Sequence, residues 1–453
     1  MEVLSNILPN FGTIFNLAFL VIVKYYGWVL FVCALIYVLY YEYLHEIQAQ
    51  FIAGVEWVFL EIRVPKDNQA STLAVENIFT QMHALHRSLT FEETYVQGQF
   101  QMWYSLELVS FGGHVSFILR VPKRYRHLAE SAFYSQYPNA EISEIDDYME
   151  KFHIDAYHNE DGPYEFFGTE LKMTEDSVIP IKTYKDFEHP SAEEKVIDPM
   201  ANTIETLERI SPNEFLSMQI TIQPIQNNEW EGRAHALIKE LTGEEQEHKA
   251  SVSGFLLKPL HWFAKFSYKE ALFGNHGHTE GDELQRKPRN NWMSMTEGEK
   301  ERVALIENKI NKANYLTKIR VLYIAPKDQF DKIKRFELIG SLRHLSPGGG
   351  AGVHNTLKTD KHTWTKVDAL ISSNLEKPFL EAETKRRKHW FLKGYKNRSM
   401  YVGSPKFLLS VEEIATLFHF PITTETTLVP AGVNTVESKK GRAPANLPTA
   451  DGN

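Results

Sequence analysis

Three observations predict an α+β fold: an N-terminal transmembrane helix, then a ferredoxin-like (split βαβ) unit and a second, related α/β unit. An apolar run from Phe11 to Tyr43 holds Lys24 as its sole basic residue and no acid before Glu42. The segment after it reads strand, helix, strand, strand, helix, strand. Within that segment, Ile62-Arg63-Val64-Pro65-Lys66 and Leu119-Arg120-Val121-Pro122-Lys123 repeat the same strand-to-helix junction, as the two halves of a split βαβ unit would.

The apolar run divides at Lys24. From Tyr25 to Tyr43 is about 28 Å of helix at 1.5 Å per residue, close to one bilayer core. Aromatic residues gather at both ends, with Tyr25 and Trp28 at one and Tyr40 and Tyr43 at the other, as membrane interfaces favour. Lys24 would reach outward at the boundary. Phe11–Val23 is short for a second span and reads as an interfacial or partly inserted helix, with a two-span hairpin as the alternative. Residues 1–54 are thus expected to form a membrane anchor and juxtamembrane helix. Arg63 and Lys66 beyond it favour a cytoplasmic C-terminal portion.

With 453 residues, the chain has room for two or three domains beyond the anchor. Its net charge of −9 excludes a basic wrapper of nucleic acid, so any such contact must be local. The single cysteine, Cys33, lies in the apolar run, which excludes an intrachain disulfide and a cysteine metal cluster.

Residues 55–153 are the expected ferredoxin-like domain. Trp57–Val64 is β-branched and aromatic, and helical spacing follows at Val75, Ile78, Phe79, Met82 and Leu85. Gly112-Gly113 marks a hairpin between Trp103–Phe111 and His114–Val121. Arg124–Tyr137 reads as a helix and Ala140–Ile145 as a last strand. Residues 154–375 are the second unit, with strands near Phe166–Met173, Val178–Tyr184, Glu214–Gln223 and Thr317–Ala325, and a mobile insertion at 242–298. A basic and helical segment, 376–430, and a flexible tail, 431–453, complete the chain.

No catalytic pattern stands out. His276, His278, Glu280 and Asp282 are suitable metal ligands, but they sit in a glycine-rich loop with no helical histidine spacing, and a solvated loop is the better reading. Pro347–Gly352 lacks the Lys-Ser/Thr of a nucleotide loop. There is no Gly-x-Ser-x-Gly and no His-Glu-x-x-His. A non-enzymatic chain without cofactor or metal is expected. The sharpest charge signal is Lys385, Arg386, Arg387, Lys388, Lys393, Lys396 and Arg398, interleaved with His389, Trp390, Phe391 and Tyr395. Cations beside aromatic rings suit nucleic acid or anionic lipid, against the plainer reading of a solvated helix face over a small core.

Trp57–Lys66, Trp103–Tyr148 and Leu409–Pro421 resemble the N-terminal, membrane-proximal region of a bacterial family related to type IV secretion and conjugation motor ATPases. In that family the last motif precedes a linker similar to Ser438–Pro448 and then a motor domain, whereas this sequence stops at Asn453. The resemblance implies an accessory subunit at the bacterial inner membrane, its soluble portion cytoplasmic, that docks a separate motor ATPase through the helix carrying Val411, Ile414, Leu417 and Phe418. Ser410 and Glu413 stand in the capping-box positions of that helix. The expected function is therefore a membrane-anchored scaffold of a transfer apparatus. The alternative is a membrane-tethered module binding nucleic acid or anionic lipid through Lys385–Arg398.

Overall fold

Alternation of apolar and polar residues builds the centre of the molecule. The computed structural model describes residue 28 and residues 31–152, 163–187, 198–243, 295–331, 333–345, 352–365, 377–422 and 432–436. In chain order the strands are β1 (Trp57–Arg63), β2 (Tyr104–Phe111), β3 (His114–Pro122), β4 (Glu141–Ile145), β5 (Tyr164–Met173), β6 (Phe215–Ile225), β7 (Asn314–Pro326), β8 (Leu357–Thr359) and β9 (Phe407–Ser410). The helices are α1 (31–53), α2 (Thr72–Met82), α3 (Phe91–Tyr95), α4 (Arg126–Gln136), α5 (Ala201–Glu208), α6 (Glu231–Thr242), α7 (Glu297–Ile310), α8 (Lys334–Ser341), α9 (Lys377–Lys396) and α10 (Val411–Leu417).

All nine strands join one antiparallel sheet in the order β4-β1-β3-β2-β6-β7-β5-β8, with β9 beside the start of β7. The order has an internal symmetry. Numbered within each half, β4-β1-β3-β2 and β8-β5-β7-β6 are the same sequence of strands, and a helix follows the first and third strand of each half. The halves meet where β2 runs antiparallel to β6, from Tyr104 opposite Ile222 to Phe111 opposite Phe215. Val178–Tyr184, read as a strand from sequence, is a buried irregular segment without a ladder partner.

Side chains of β1, β3 and β6 at alternate positions, among them Leu60, Phe117, Leu119, Met218 and Ile220, point to one face and are buried by α2, α4, α5, α8 and α10. On the other face Phe59, Ile118, Phe166, Leu322 and Ile324 pack against Phe391, Leu392 and Tyr395 of α9. That approach is close. A Cβ at Gly168 of β5 would overlap the Phe391 ring, so the glycine is what lets α9 lie down on the strand.

Two compact units divide the chain, Met1–Val55 with Arg87–Gln101, and Glu56–His86 with Met102–Asn453. Within the first, Tyr40 of α1 stacks on Tyr95 of α3 at 6.5 Å, and Phe51 meets Phe100 edge-on at 5.5 Å. The N-terminal transmembrane helix predicted from the apolar run requires correction. Among the described residues no helix is long and apolar enough to cross a membrane. The physical reason lies in the second half of α1, where Glu42, His45, Glu46, Gln48 and Gln50 break the apolar run. Lys24 and Tyr25 lie outside the described residues, whereas Trp28, Tyr40 and Tyr43 are described and exposed.

Candidate nucleic-acid interface

Helix α9 sorts its side chains by the 3.6-residue period. Phe391, Leu392 and Tyr395 face the sheet and are buried. Lys385, Arg386, His389, Trp390 and Lys393 share the opposite, exposed sector, and Trp390 keeps 47% of its surface in solvent. Lys393 Nζ lies 5.5 Å from the centre of the Trp390 ring. Arg386 and Arg387 both donate to Glu383 at 2.8 Å, one turn earlier, and those hydrogen bonds hold the Glu383 carboxyl down at about 2. Lys388 turns inward to pair with Glu165 of β5 above the Phe166 ring, and Lys396 is half-buried.

A cleft of about 330 Å³ opens beside this sector. Arg386, Arg387, Trp390, Tyr401, His362 and Glu170 are among the residues that line it. Tyr401 is 60% exposed. Gly403, also in the lining, sits in the left-handed region at φ 95°, where a Cβ would run into the Glu170 carboxylate. Two exposed aromatic rings and guanidinium groups around one cleft are the elements needed to hold a planar group and its anionic neighbour.

Arg398 does not belong to the exposed sector. It is 1% exposed, with φ 50°, and its guanidinium anchors a polar network under α9. Nε donates to Glu107 at 3.0 Å, and Nη1 and Nη2 donate to Asp147 at 2.5 and 2.8 Å. The Tyr148 hydroxyl donates to Glu107 at 2.6 Å and lies 2.9 Å from the Tyr395 hydroxyl, which in turn lies 2.6 Å from Ser217 Oγ. Arg320 donates to Glu170 at 2.7 Å and to the Ser399 and Val402 carbonyls at 2.6 and 2.8 Å, tying down the loop that follows α9. Burial works against the Arg398 charge, but Glu107, Tyr148 and Asp147 outweigh it and hold the group well above its ordinary range. Burial, with Glu107 beside them, raises the Tyr148 and Tyr395 phenols. These phenols therefore stay protonated and serve as hydrogen-bond donors and acceptors rather than bases.

Val411, Ile414, Leu417 and Phe418, expected to dock a motor, are buried in the main core, Phe418 against Phe79 and Phe117. Helix α10 is nevertheless built as its sequence suggests. Ser410 Oγ accepts from the Glu413 amide at 3.3 Å while the Glu413 carboxylate accepts from the Ser410 amide at 2.7 Å. The loop with His276, His278, Glu280 and Asp282 lies outside the described residues, as do all of Pro347–Gly352 except Gly352. Among the described residues no three histidine, cysteine or acidic side chains group as metal ligands do.

Sequence reasoning missed Glu107, Asp147, Tyr148, Glu170, Gln219 and Arg320. A signal was present, because Glu107 lies within Leu106–Val109 of β2 and Arg320 within Ile319–Ile324 of β7, runs whose other residues are aliphatic or aromatic. Periodicity alone does not tell such residues from solvent-facing ones.

No curated protein matches the chain. A family model described as a domain of unknown function, DUF8128, matches residues 39–340, more than half of the sequence, and the chain belongs to that family.

Proposed function

We propose that the chain is a binding module for single-stranded nucleic acid. Phosphates lie along Lys385, Arg386 and Lys393, and a base enters the cleft between Trp390 and Tyr401. The observation that carries this reading is the exposed sector of α9, where cations alternate with a half-exposed tryptophan beside a cleft of about 330 Å³. Stacking on aromatic rings tolerates any base, and phosphate contacts add affinity without sequence readout. Glu170 supports binding rather than catalysis, since Arg320 and the Ser404 amide already occupy its oxygens.

The accessory-subunit reading rests on the sequence resemblance, and the helix it assigns to the motor presents no apolar face to solvent. Anionic lipid would use the same cations but has no use for a ring-lined cleft. Fluorescence anisotropy of a labelled single strand of about ten nucleotides tests the proposal. Trp390→Ala is expected to weaken binding by about 1–3 kcal/mol, one stacked base. Binding to vesicles of anionic lipid with no binding to the strand, or equal affinity in Trp390→Ala, contradicts it.

A further inference from the structure

The β1–β3 ladder ends at Ile62 opposite Phe117, although Val64 and Val115 lie only two places further in the same register. Residues 432–436 take up the main chain left there. The Val115 amide donates to the Gly432 carbonyl at 2.8 Å, and the Val115 carbonyl accepts from the Asn434 amide at 3.0 Å. The Val64 carbonyl accepts from the Val436 amide at 3.2 Å. Val115 with Val433 and Pro65 with Val436 thus form two parallel bridges. Val64 and Val115 are 1% and 0% exposed, and buried main-chain groups are costly to leave unpaired, so the notch calls for an extended strand.

Side chains are read there as well. Val433 is buried in the main core. Asn434 Nδ2 donates to Glu61 Oε1 at 3.0 Å and to Ser116 Oγ at 2.7 Å, and the Gly432 amide donates to Glu208 Oε1 at 2.9 Å. A Cβ at Gly432 would lie 2.4 Å from the Gly113 carbonyl oxygen, so glycine is required. Main-chain pairing with side-chain pockets is how a sheet recognises an added strand. The hold is local, because Val433 alone of the five is buried and the other four are half-buried. Val433, Asn434 and Thr435 also border a cleft of about 320 Å³ with Arg63 and Lys66. Release gives up one apolar side chain and a few hydrogen bonds and leaves the nine-stranded sheet paired. The ten residue steps from Ile422 to Gly432 reach about 33 Å at full stretch.

We propose that this notch is an interaction surface for a second copy of the chain, which seats its residues 432–436 there in place of the resident ones. Every copy carries the segment that fits, so exchange replaces each bond by its equal, and reciprocal exchange closes a dimer.

The full chain tests this in a Cys33→Ser background, which removes the natural thiol. Ser116→Cys and Asn434→Cys in one chain are expected to close an internal disulfide, because those two side chains touch. Placed in separate chains, the two cysteines meet only when one copy seats its segment in the other. Incubating the two single variants together at high concentration is expected to give a covalent dimer joined from 116 to 434, identified by mass spectrometry of the linked peptides. Gly432→Val added to the Asn434→Cys chain should reduce that product about tenfold or more, since its Cβ meets the Gly113 carbonyl. An excess of free peptide spanning 429–438 should reduce it too, by mass action. The peptide gives its reading without Gly432→Val, so the test survives a variant that fails to fold. Single variants that stay monomeric where the double variant closes, or a product indifferent to both Gly432→Val and the peptide, overturn the proposal. No residue of α9 takes part, so the nucleic-acid reading stands or falls separately.

Discussion

At the scale of the residue, Arg398 shows how one position can be legible as chemistry and misread as geometry. Its sequence neighbours suggest one cationic stretch, yet six of the seven basic residues lie on α9 and Arg398 lies just beyond its end, in the left-handed region, with its charge turned into the sheet. A non-glycine residue there costs about 1–3 kcal/mol, and the bonds to Glu107 and Asp147 hold it in place. Replacing Arg398 with Met leaves Glu107 buried without its cation, and chemical denaturation is expected to show a loss of about 3–5 kcal/mol. Lys318 gives a pH signature. Burial pushes its folded pKa down from 10.5 to about 7, and Lys406 from 10.5 to about 8, so between these values and the unfolded ones the unfolded chain binds more protons. Stability then rises with pH from about 7 to 9.5. Melting temperatures across that window should climb in the wild type and flatten in Lys318→Met; a steeper climb in the variant would contradict the assignment.

At the scale of the element, alternation and capping signals were enough to locate most strands and helices. Val115, Phe117, Leu119 and Val121 alternate along β3, and Ser410 with Glu413 marks the start of α10. What sequence could not tell was which face of α10 meets water, because its apolar side and its neighbours are all buried in one core. Leu417→Ala is expected to cost about 2–5 kcal/mol in denaturant unfolding, and Ser410→Ala about 1 kcal/mol through the lost cap. The α9 contact depends on Gly168 in the same way. Valine at Gly168 should displace Phe391 and loosen α9 while the strand pairing persists, a change that hydrogen exchange along 377–396 would register. The anchor was overread for a related reason, since the hydropathy of the run was weighed without the rest of its helix, and α1 is polar from Glu42 onward.

At the scale of the whole molecule, the two four-stranded halves share the β2–β6 ladder and one apolar core that includes Leu108 and Phe133 from the first and Tyr323 and Leu338 from the second. The sequence shows the first half as a split βαβ pattern. The second is obscured because α6, α7 and the residues between them separate β6 from β7, its hairpin partner. A shared core predicts that both halves unfold together, with far-ultraviolet circular dichroism and tryptophan fluorescence tracing one transition in denaturant; two resolved transitions would contradict it. The chain is acidic overall at −9, so a nucleic acid is repelled except where α9 gathers cations, and binding should orient on that one face. The most direct test of the central claim is the salt dependence of single-strand affinity. With Lys385, Arg386 and Lys393 each neutralising one phosphate, the slope of log affinity against log salt should be about −2, and Lys385→Ala with Lys393→Ala should reduce it to about −0.7. A wild-type slope near zero, or one that the double variant leaves unchanged, would contradict the account.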